Sequence, residues 1–403
     1  MSTARRFPFF AARPARVIAG TALAALVLSA CGGSDSGSGS STTSTSPSPS
    51  SSASPASSAG SGSTGTAAGS DTGAAGATQD FGAEADTLRL GYFGNLTHAA
   101  AVLGVADGTF QEALGDTTLE TSVFNAGPAE IEALTGGAID AGFIGPNPAI
   151  NSYAKSSGDS LRIVAGATAN GAALVVAPDI NTVEDLRGKT IATPQLGGTQ
   201  DVALRKYLLD NNLLVDTTGG DDVSIASQDN ATTLDLFKNG DVQGGWLPEP
   251  WASRLIVEAG AKELVNEKTL WDDGQFPTTL LIVSRTFLEQ YPGTVAKLLQ
   301  GHLAELDKIE ADPADAQTRL NDALAEVAGK PLADGVISRA FAEITPTYDP
   351  LANHLTELGE DGVKAGTLKE VPDLSQIYDL RILNQLLVAD GKKPVSAGGF
   401  GQE

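Results

Sequence analysis

From Thr87 onward, short apolar runs alternate with amphipathic segments. Leu88-Arg89-Leu90-Gly91-Tyr92 has the two-residue period of a strand, and Asn95-Leu96-Thr97-His98 is a polar turn before a short helix over Ala99–Val105. Leu119–Phe124 reads as a second strand. Pro128–Leu134 reads as a helix with proline in its first turn, stopped by Gly136-Gly137. Ala138–Ile144 is a third strand, ending at the loop Gly145-Pro146-Asn147-Pro148. The pattern then restarts with strands at Leu174–Ala177 and Thr190–Thr193. The loop Pro194–Thr199 leads into a helix with Val202, Leu204 and Leu208 on its apolar face. Gly244-Gly245-Trp246 reads as a turn, and the helix after Pro250 sets Trp251 and Leu255 one turn apart, with Gly260 as its stop. Thr278–Val283 is strand-like, and a long helical stripe follows through Val295, Leu299, Leu303, Leu306 and Ile309.

Strands alternating with helices predict an α/β fold with largely parallel sheets. Two such units, linked by extended segments near 172–177 and 277–284, predict two lobes joined by two hinge crossings, with a ligand cleft between them. The expected organisation is residues 87–176 plus 280–403 as the first lobe, with a helical C-terminal part, and 177–279 as the second.

The N-terminal region has a different pattern. Arg5, Arg6, Arg13 and Arg16 precede or flank an apolar run from Val17 to Ala30. A run of this length makes a helix of roughly 21 Å, too short for a hydrocarbon core of about 30 Å. Basic residues, a short apolar segment and small residues at its end mark residues 1–30 as a secretory signal. Cys31 is the one cysteine in 403 residues, and it closes Leu28-Ser29-Ala30-Cys31. That arrangement resembles the lipobox of bacterial lipoproteins, which implies lipidation of Cys31 and a membrane anchor. Residues 31–86 are chiefly Ser, Gly, Thr, Ala and Pro without apolar period, and read as a disordered tether.

Removing residues 1–30, which hold four arginines and no acid, takes the net charge from −23 to −27. Such a surface argues against a nucleic-acid partner, and with no further cysteine the mature fold has no disulfide and no catalytic thiol. His98, His302 and His354 share no metal-ligand spacing. Gly188-Lys189-Thr190 lacks the upstream glycine of a phosphate loop, since Val183 stands there. What remains is a set of uncharged loops leading into helices, where unpaired backbone N–H groups and partial positive charge hold oxyanions. Gly197-Gly198-Thr199-Gln200 is the clearest, with Gly145–Pro148 and Asn95–His98 in equivalent places. Trp246-Leu247-Pro248-Glu249-Pro250-Trp251 adds two tryptophans about a braced turn, readable as core or as an aromatic wall with Glu249 as polar handle.

With these segments in order, and with Ile131-Glu132-Ala133-Leu134 through Asp140 and Val183–Ala192, the chain resembles the solute-binding proteins of ABC importers for aliphatic sulfonates, taurine and nitrate. The resemblance spans about residues 87–310. It implies a two-lobed periplasmic-binding-protein fold (type II), no catalysis and no cofactor or metal. It also implies a monomer that delivers a small ligand to ABC permease subunits at the extracytoplasmic face of the membrane. It places ligand contacts at Asn95, Thr97, His98, Gly145, Asn147, Thr168 and Asn170, and at Gly198, Thr199, Gln200, Trp246, Glu249 and Trp251. No lysine or arginine stands in these loops, which favours an alkanesulfonate over nitrate, while Glu249 or Asp201 could meet the amine of a taurine-like ligand. A thiamine pyrimidine precursor is a further ligand reading. Distant relatives of this fold make that pyrimidine with a histidine and a lysine-bound cofactor, but here only His98 lies in a pocket loop.

Overall fold

Leu88 and Leu90 are fully buried while Thr87 and Arg89 are partly exposed, so strand β1 (Thr87–Phe93) opens the fold with the expected alternation. The computed structural model describes residues 80–403 apart from 217, 219 and 329, all within one unit spanning Ala74–Glu403. The signal, Cys31 and all but the last residues of the tether lie outside the described residues.

The first lobe continues with α1 (Ala99–Ala106), α2 (Thr109–Leu114), β2 (Thr118–Phe124), α3 (Gly127–Thr135), β3 (Ala141–Ile144), α4 (Pro146–Lys155) and β4 (Leu161–Asn170). The second contains β5 (Ala172–Val176), β6 (Thr190–Thr193), α5 (Thr199–Asp210), β7 (Ser224–Ser227), α6 (Asn230–Asn239), β8 (Gly244–Pro248), α7 (Trp251–Ala259) and β9 (Lys262–Asn266). The chain returns through β10 (Pro277–Ser284). It then runs α8 (Arg285–Gln290), α9 (Pro292–Ala311), α10 (Pro313–Ala328), α11 (Asp334–Glu343), β11 (Ile344–Pro346), α12 (Leu355–Lys364), β12 (Tyr378–Asp379), α13 (Arg381–Ala389) and β13 (Gly401–Gln402).

The first sheet has the order β13-β12-β4-β10-β3-β1-β2, with β11 also on β4. Its β1, β2 and β3 are parallel, and β10 runs antiparallel between β3 and β4. The second sheet has the order β7-β6-β8-β5-β9. Each lobe has its own core. The first gathers Leu88, Leu90, Phe143, Leu281, Leu299 and their neighbours, and the second gathers Leu174, Ile191, Leu204, Leu208 and Trp246 on one sheet face.

Four features depart from the sequence reading. The sheets are mixed rather than largely parallel, since β10 runs antiparallel to β3 and β4, and β5 antiparallel to β8 and β9. Strand β4, the longest of the first sheet, is absent from it because Ala165-Gly166-Ala167-Thr168-Ala169 is buried on both faces and shows no alternation. Gly244-Gly245 is not a turn but the start of β8 at the centre of the second sheet. A Cβ on Gly244 would lie 2.5 Å from the Val175 carbonyl oxygen, so glycine serves close strand packing there. Strand β5 pairs with β8 and β9, so 172–176 belongs with the second lobe, and β10 starts the return at Pro277. The first crossing bends at Asn170 (φ 63°) and Gly171 (φ 81°), both left-handed.

Candidate functional site

The ends of five helices meet between the lobes. From the first lobe come the turn Leu96–His98 that opens α1, and the N-termini of α3 and α4. From the second come those of α5 and α6. They enclose a cavity of about 30 Å³ lined by Asn95, Thr97, His98, Gly127, Gly145, Gly198, Thr199, Gln200, Asn230 and Thr278, among others. None of these five helices carries a side-chain hydrogen bond at its N-cap. The first turns of α3, α4, α5 and α6 therefore lack the usual side-chain N-cap acceptor, whereas the amides of Leu96, Thr97 and His98 before α1 already donate to the Glu249 and Asn95 carbonyl oxygens. Each aligned dipole favours an anion by about 0.3–2 kcal/mol, depending on burial.

Seven of the thirteen residues expected from sequence line this cavity: Asn95, Thr97, His98, Gly145, Gly198, Thr199 and Gln200. Gly145 and Thr199 approach closely across the lobes, since a Cβ on Gly145 would fall 2.2 Å from Thr199 Oγ1. That hydroxyl oxygen and Asn230 Oδ1 are buried and have no hydrogen-bond partner among the described residues. Polar atoms in that condition suit a bound partner.

His98 is a neutral support. Its Nε2 lies 3.1 Å from the Phe143 carbonyl oxygen, so Nε2–H donates there and Nδ1 accepts from the Thr97 hydroxyl at 3.2 Å. Burial pushes its pKa down to about 3 against the opposing effect of the Phe143 bond. The imidazole thus orients Thr97 and brings no positive charge. Among the described residues, no Lys, Arg, Asp or Glu lines the cavity.

The other six residues stand elsewhere. Trp246 is fully buried in the second core, packs on Tyr207 at 5.6 Å and donates its Nε1–H to Glu267 at 2.6 Å. Parity along β8 sends it under α5, so it is no part of a ligand wall. Asn147 points away along α4 and donates to the Leu358 carbonyl oxygen at 3.3 Å. Thr168 is buried within β4 opposite Thr279. Asn170 sits at the crossing, with its backbone carbonyl accepting from the Thr278 hydroxyl. Trp251 lies outside the cavity, with its Nε1–H donating to Asn95 Oδ1 across the lobes at 2.8 Å.

Glu249 contributes backbone rather than carboxylate. Its carbonyl oxygen accepts from the amides of Leu96 (3.1 Å) and Thr97 (3.3 Å), which joins the lobes. Its carboxylate accepts from the Ser253 amide and hydroxyl at 3.1 and 3.0 Å. Burial raises that carboxyl to about 7, with the Ser253 bonds opposing. Asp201, the other acid proposed for an amine, is saturated by the Gly197 amide (2.9 Å), Arg205 (2.9 Å) and Thr193 (3.2 Å).

Phe93, Asn125, Ala126, Gly127, Pro148, Pro194, Asn230, Pro248 and Thr278 also line the cavity and were not among the expected site residues. The one local signal was Asp229-Asn230 opening a helix. The other histidines are structural: His302 is fully buried on the Gly166 carbonyl oxygen at 2.8 Å, and His354 faces Asp273 at 3.2 Å. Among the described residues, no group of three or more His, Cys, Asp or Glu could hold a metal ion.

Residues 82–321 match the NMT1-like family. The chain is 25% identical over 198 residues to the taurine-binding periplasmic protein of Escherichia coli (strain K12), a match covering 48% of this chain and 58% of that protein. It spans about half the length of the curated relatives it matches. In structure it is similar to the alkanesulfonate-binding protein SsuA from Xanthomonas axonopodis pv. citri bound to MOPS. That match has a TM-score of 0.60 and 24% identity over 72% of this chain and 96% of SsuA. The nitrate-binding protein NrtA from Synechocystis PCC 6803 matches with a TM-score of 0.59 and 16% identity, over 71% of this chain and 83% of NrtA. The chain belongs to the NMT1-like family, and its two-lobed α/β fold is that of periplasmic solute-binding proteins.

Proposed function

We propose that this protein is the extracytoplasmic solute-binding component of an ABC importer, that it captures a small organosulfonate between its lobes, and that it acts by binding without catalysis. The observation that carries the reading is the cavity itself: uncharged, enclosed by both lobes and ringed by uncapped helix N-termini. Such a ring holds a compact oxyanion by dipoles and amides alone. The family membership and the similar structures support the transport role. Handover to permease subunits follows from it, and a monomer is the form proposed. An anchor at Cys31 would keep the protein within reach of the permease. Radiolabelled palmitate is expected to enter the wild-type chain and not Cys31→Ser, and equal labelling would dismiss the anchor.

The cavity also bears on the ligand. A taurine ammonium needs a carboxylate, and neither Glu249 nor Asp201 presents one. Ethanesulfonate is therefore expected to bind at least about tenfold more tightly than taurine, because an unpaired ammonium is costly to bury. Isothermal titration of the full-length chain with ethanesulfonate, taurine and nitrate tests this. Equal or tighter taurine binding would show that an acid reaches the cavity. Heat with nitrate alone would replace the sulfonate reading by the nitrate one, which the small cavity volume also suits.

A further inference from the structure

Two helices of the C-terminal part, α11 and α12, lie beyond the residues matched by the family and turn back onto the second lobe. Each is rooted in the first core, α11 through Ile337 and Ala340 and α12 through Leu355 and Leu358. Helix α12 packs on α4 of the first lobe and on α5 of the second, while α11 packs on α7. The helices they meet cover opposite faces of the second sheet. Leu204 and Leu208 of α5 join Leu174 and Trp246, whereas Leu255 of α7 joins Ala173 and Leu247, their neighbours along the strands. The second lobe is therefore gripped on both faces by helices that belong to the first.

Opposite charges finish both grips. Between α12 and α5, Asp361 lies 3.8 Å from Lys206, and Lys364 pairs with Asp210. Between α11 and β9, Arg339 pairs with Glu263 at 2.9 Å. Glu343 accepts from Asn266 at 2.9 Å and from Lys268, just past β9, at 3.1 Å. None of these groups lines the cavity, so their attraction does not depend on a ligand. One exposed pair shifts an equilibrium by no more than about fivefold, but pairs on both faces act on the same motion. Helix α5 also brings Thr199 and Gln200 to the cavity, so holding it holds the second-lobe half of the site.

We propose that α11 and α12 form a yoke that holds the two lobes together before a ligand arrives, with Arg339, Glu343, Asp361 and Lys364 as its positioning residues. A site assembled in advance gains affinity in proportion to the fraction of molecules already closed, and ligand release then requires the yoke to let go.

Pulsed electron–electron resonance on the full-length chain without ligand provides the test. Spin labels go on Glu132→Cys in the first lobe and Asn239→Cys in the second, both exposed positions, with Cys31→Ser removing the native thiol. The parent chain is expected to show one short separation. Arg339→Glu with Lys364→Glu should raise the open population about tenfold, and salt at about 1 M should raise it in the parent by screening the pairs. Adding Glu263→Arg to Arg339→Glu should return the open population towards the parent value, which a merely structural defect would not allow. Glu343→Gln with Asp361→Asn removes charge without reversing it, and should raise the open population about threefold even where charge reversal unfolds the chain. A parent chain that is mainly open, or an open population unmoved by these variants, overturns the proposal. No ligand enters the measurement, so that result leaves the organosulfonate reading intact.

Discussion

Replacing Gly145 by valine is expected to abolish ligand binding while leaving the fold intact. The backbone at Gly145 (φ −71°, ψ 155°) is extended, so any residue can adopt it without strain. The obstacle lies across the cleft, where a Cβ would meet Thr199 Oγ1 at 2.2 Å and Thr199 Cβ at 3.2 Å. Thr199 opens α5 and is buried; its hydroxyl can turn toward the cavity it lines, but its Cβ is fixed by the helix and would be crowded by the valine methyls. Relief comes only by parting the lobes, which removes the second-lobe amides from the site. A ligand that gains most of its contacts in the closed form then loses about a hundredfold or more in affinity. Calorimetry should show no heat, small-angle scattering should report an open form with ligand present, and melting without ligand should match the wild type. Adding Thr199→Ala to Gly145→Ala should restore part of the affinity. Wild-type affinity in Gly145→Val would show that the two lobes do not meet at this point during binding.

The second large effect concerns stability. Trp246→Ala is expected to destabilise the protein by about 3–5 kcal/mol, the range for losing a large buried aromatic. Trp246 is fully buried in the second core, and its removal also strips Glu267 of a 2.6 Å hydrogen bond. Glu267 adds a pH signature. Burial pushes its carboxyl up to about 8, with the Trp246 bond opposing and Asp361 adding to the rise. A carboxyl raised above its unfolded value stays protonated in the native state while the unfolded chain ionises. Its contribution is complete below about pH 4.5 and declines by about 1.4 kcal/mol per pH unit until the folded group ionises near 8. Glu249, raised to about 7, acts in the same direction. The melting temperature should therefore fall between about pH 5 and pH 8. Glu267→Gln keeps an acceptor for the indole, and should remove much of that slope and raise stability at the alkaline end. A profile equal to wild type in Glu267→Gln would show that Glu267 is already ionised in the fold.

The strands that alternate, such as β1, were legible because one face of each is buried and the other is not. β4 was not, since burial on both faces erases the alternation. The glycines of β8 resembled a turn because the reason for them, the approach of Val175, belongs to another strand. The two tryptophans show the limit most clearly. Trp246 and Trp251 stand five residues apart, yet one lies in a strand beneath α5 and the other on a helix facing the opposite lobe.

The chain by itself determined many of the alternating strands and helices, the two-lobed α/β plan and the uncharged, glycine-bearing loops from which an anion site can be made. These are local properties, set by apolar period, turn chemistry and the absence of basic residues near helix starts. Only the tertiary structure decided which side chains of those loops share a cavity. It turned Asn147 and the Glu249 carboxylate away, brought in Asn230 and Thr278, and set Gly145 against Thr199. Those outcomes depend on strand parity, helix phase and lobe closure, each of which joins residues far apart in the chain and leaves no local mark on the sequence.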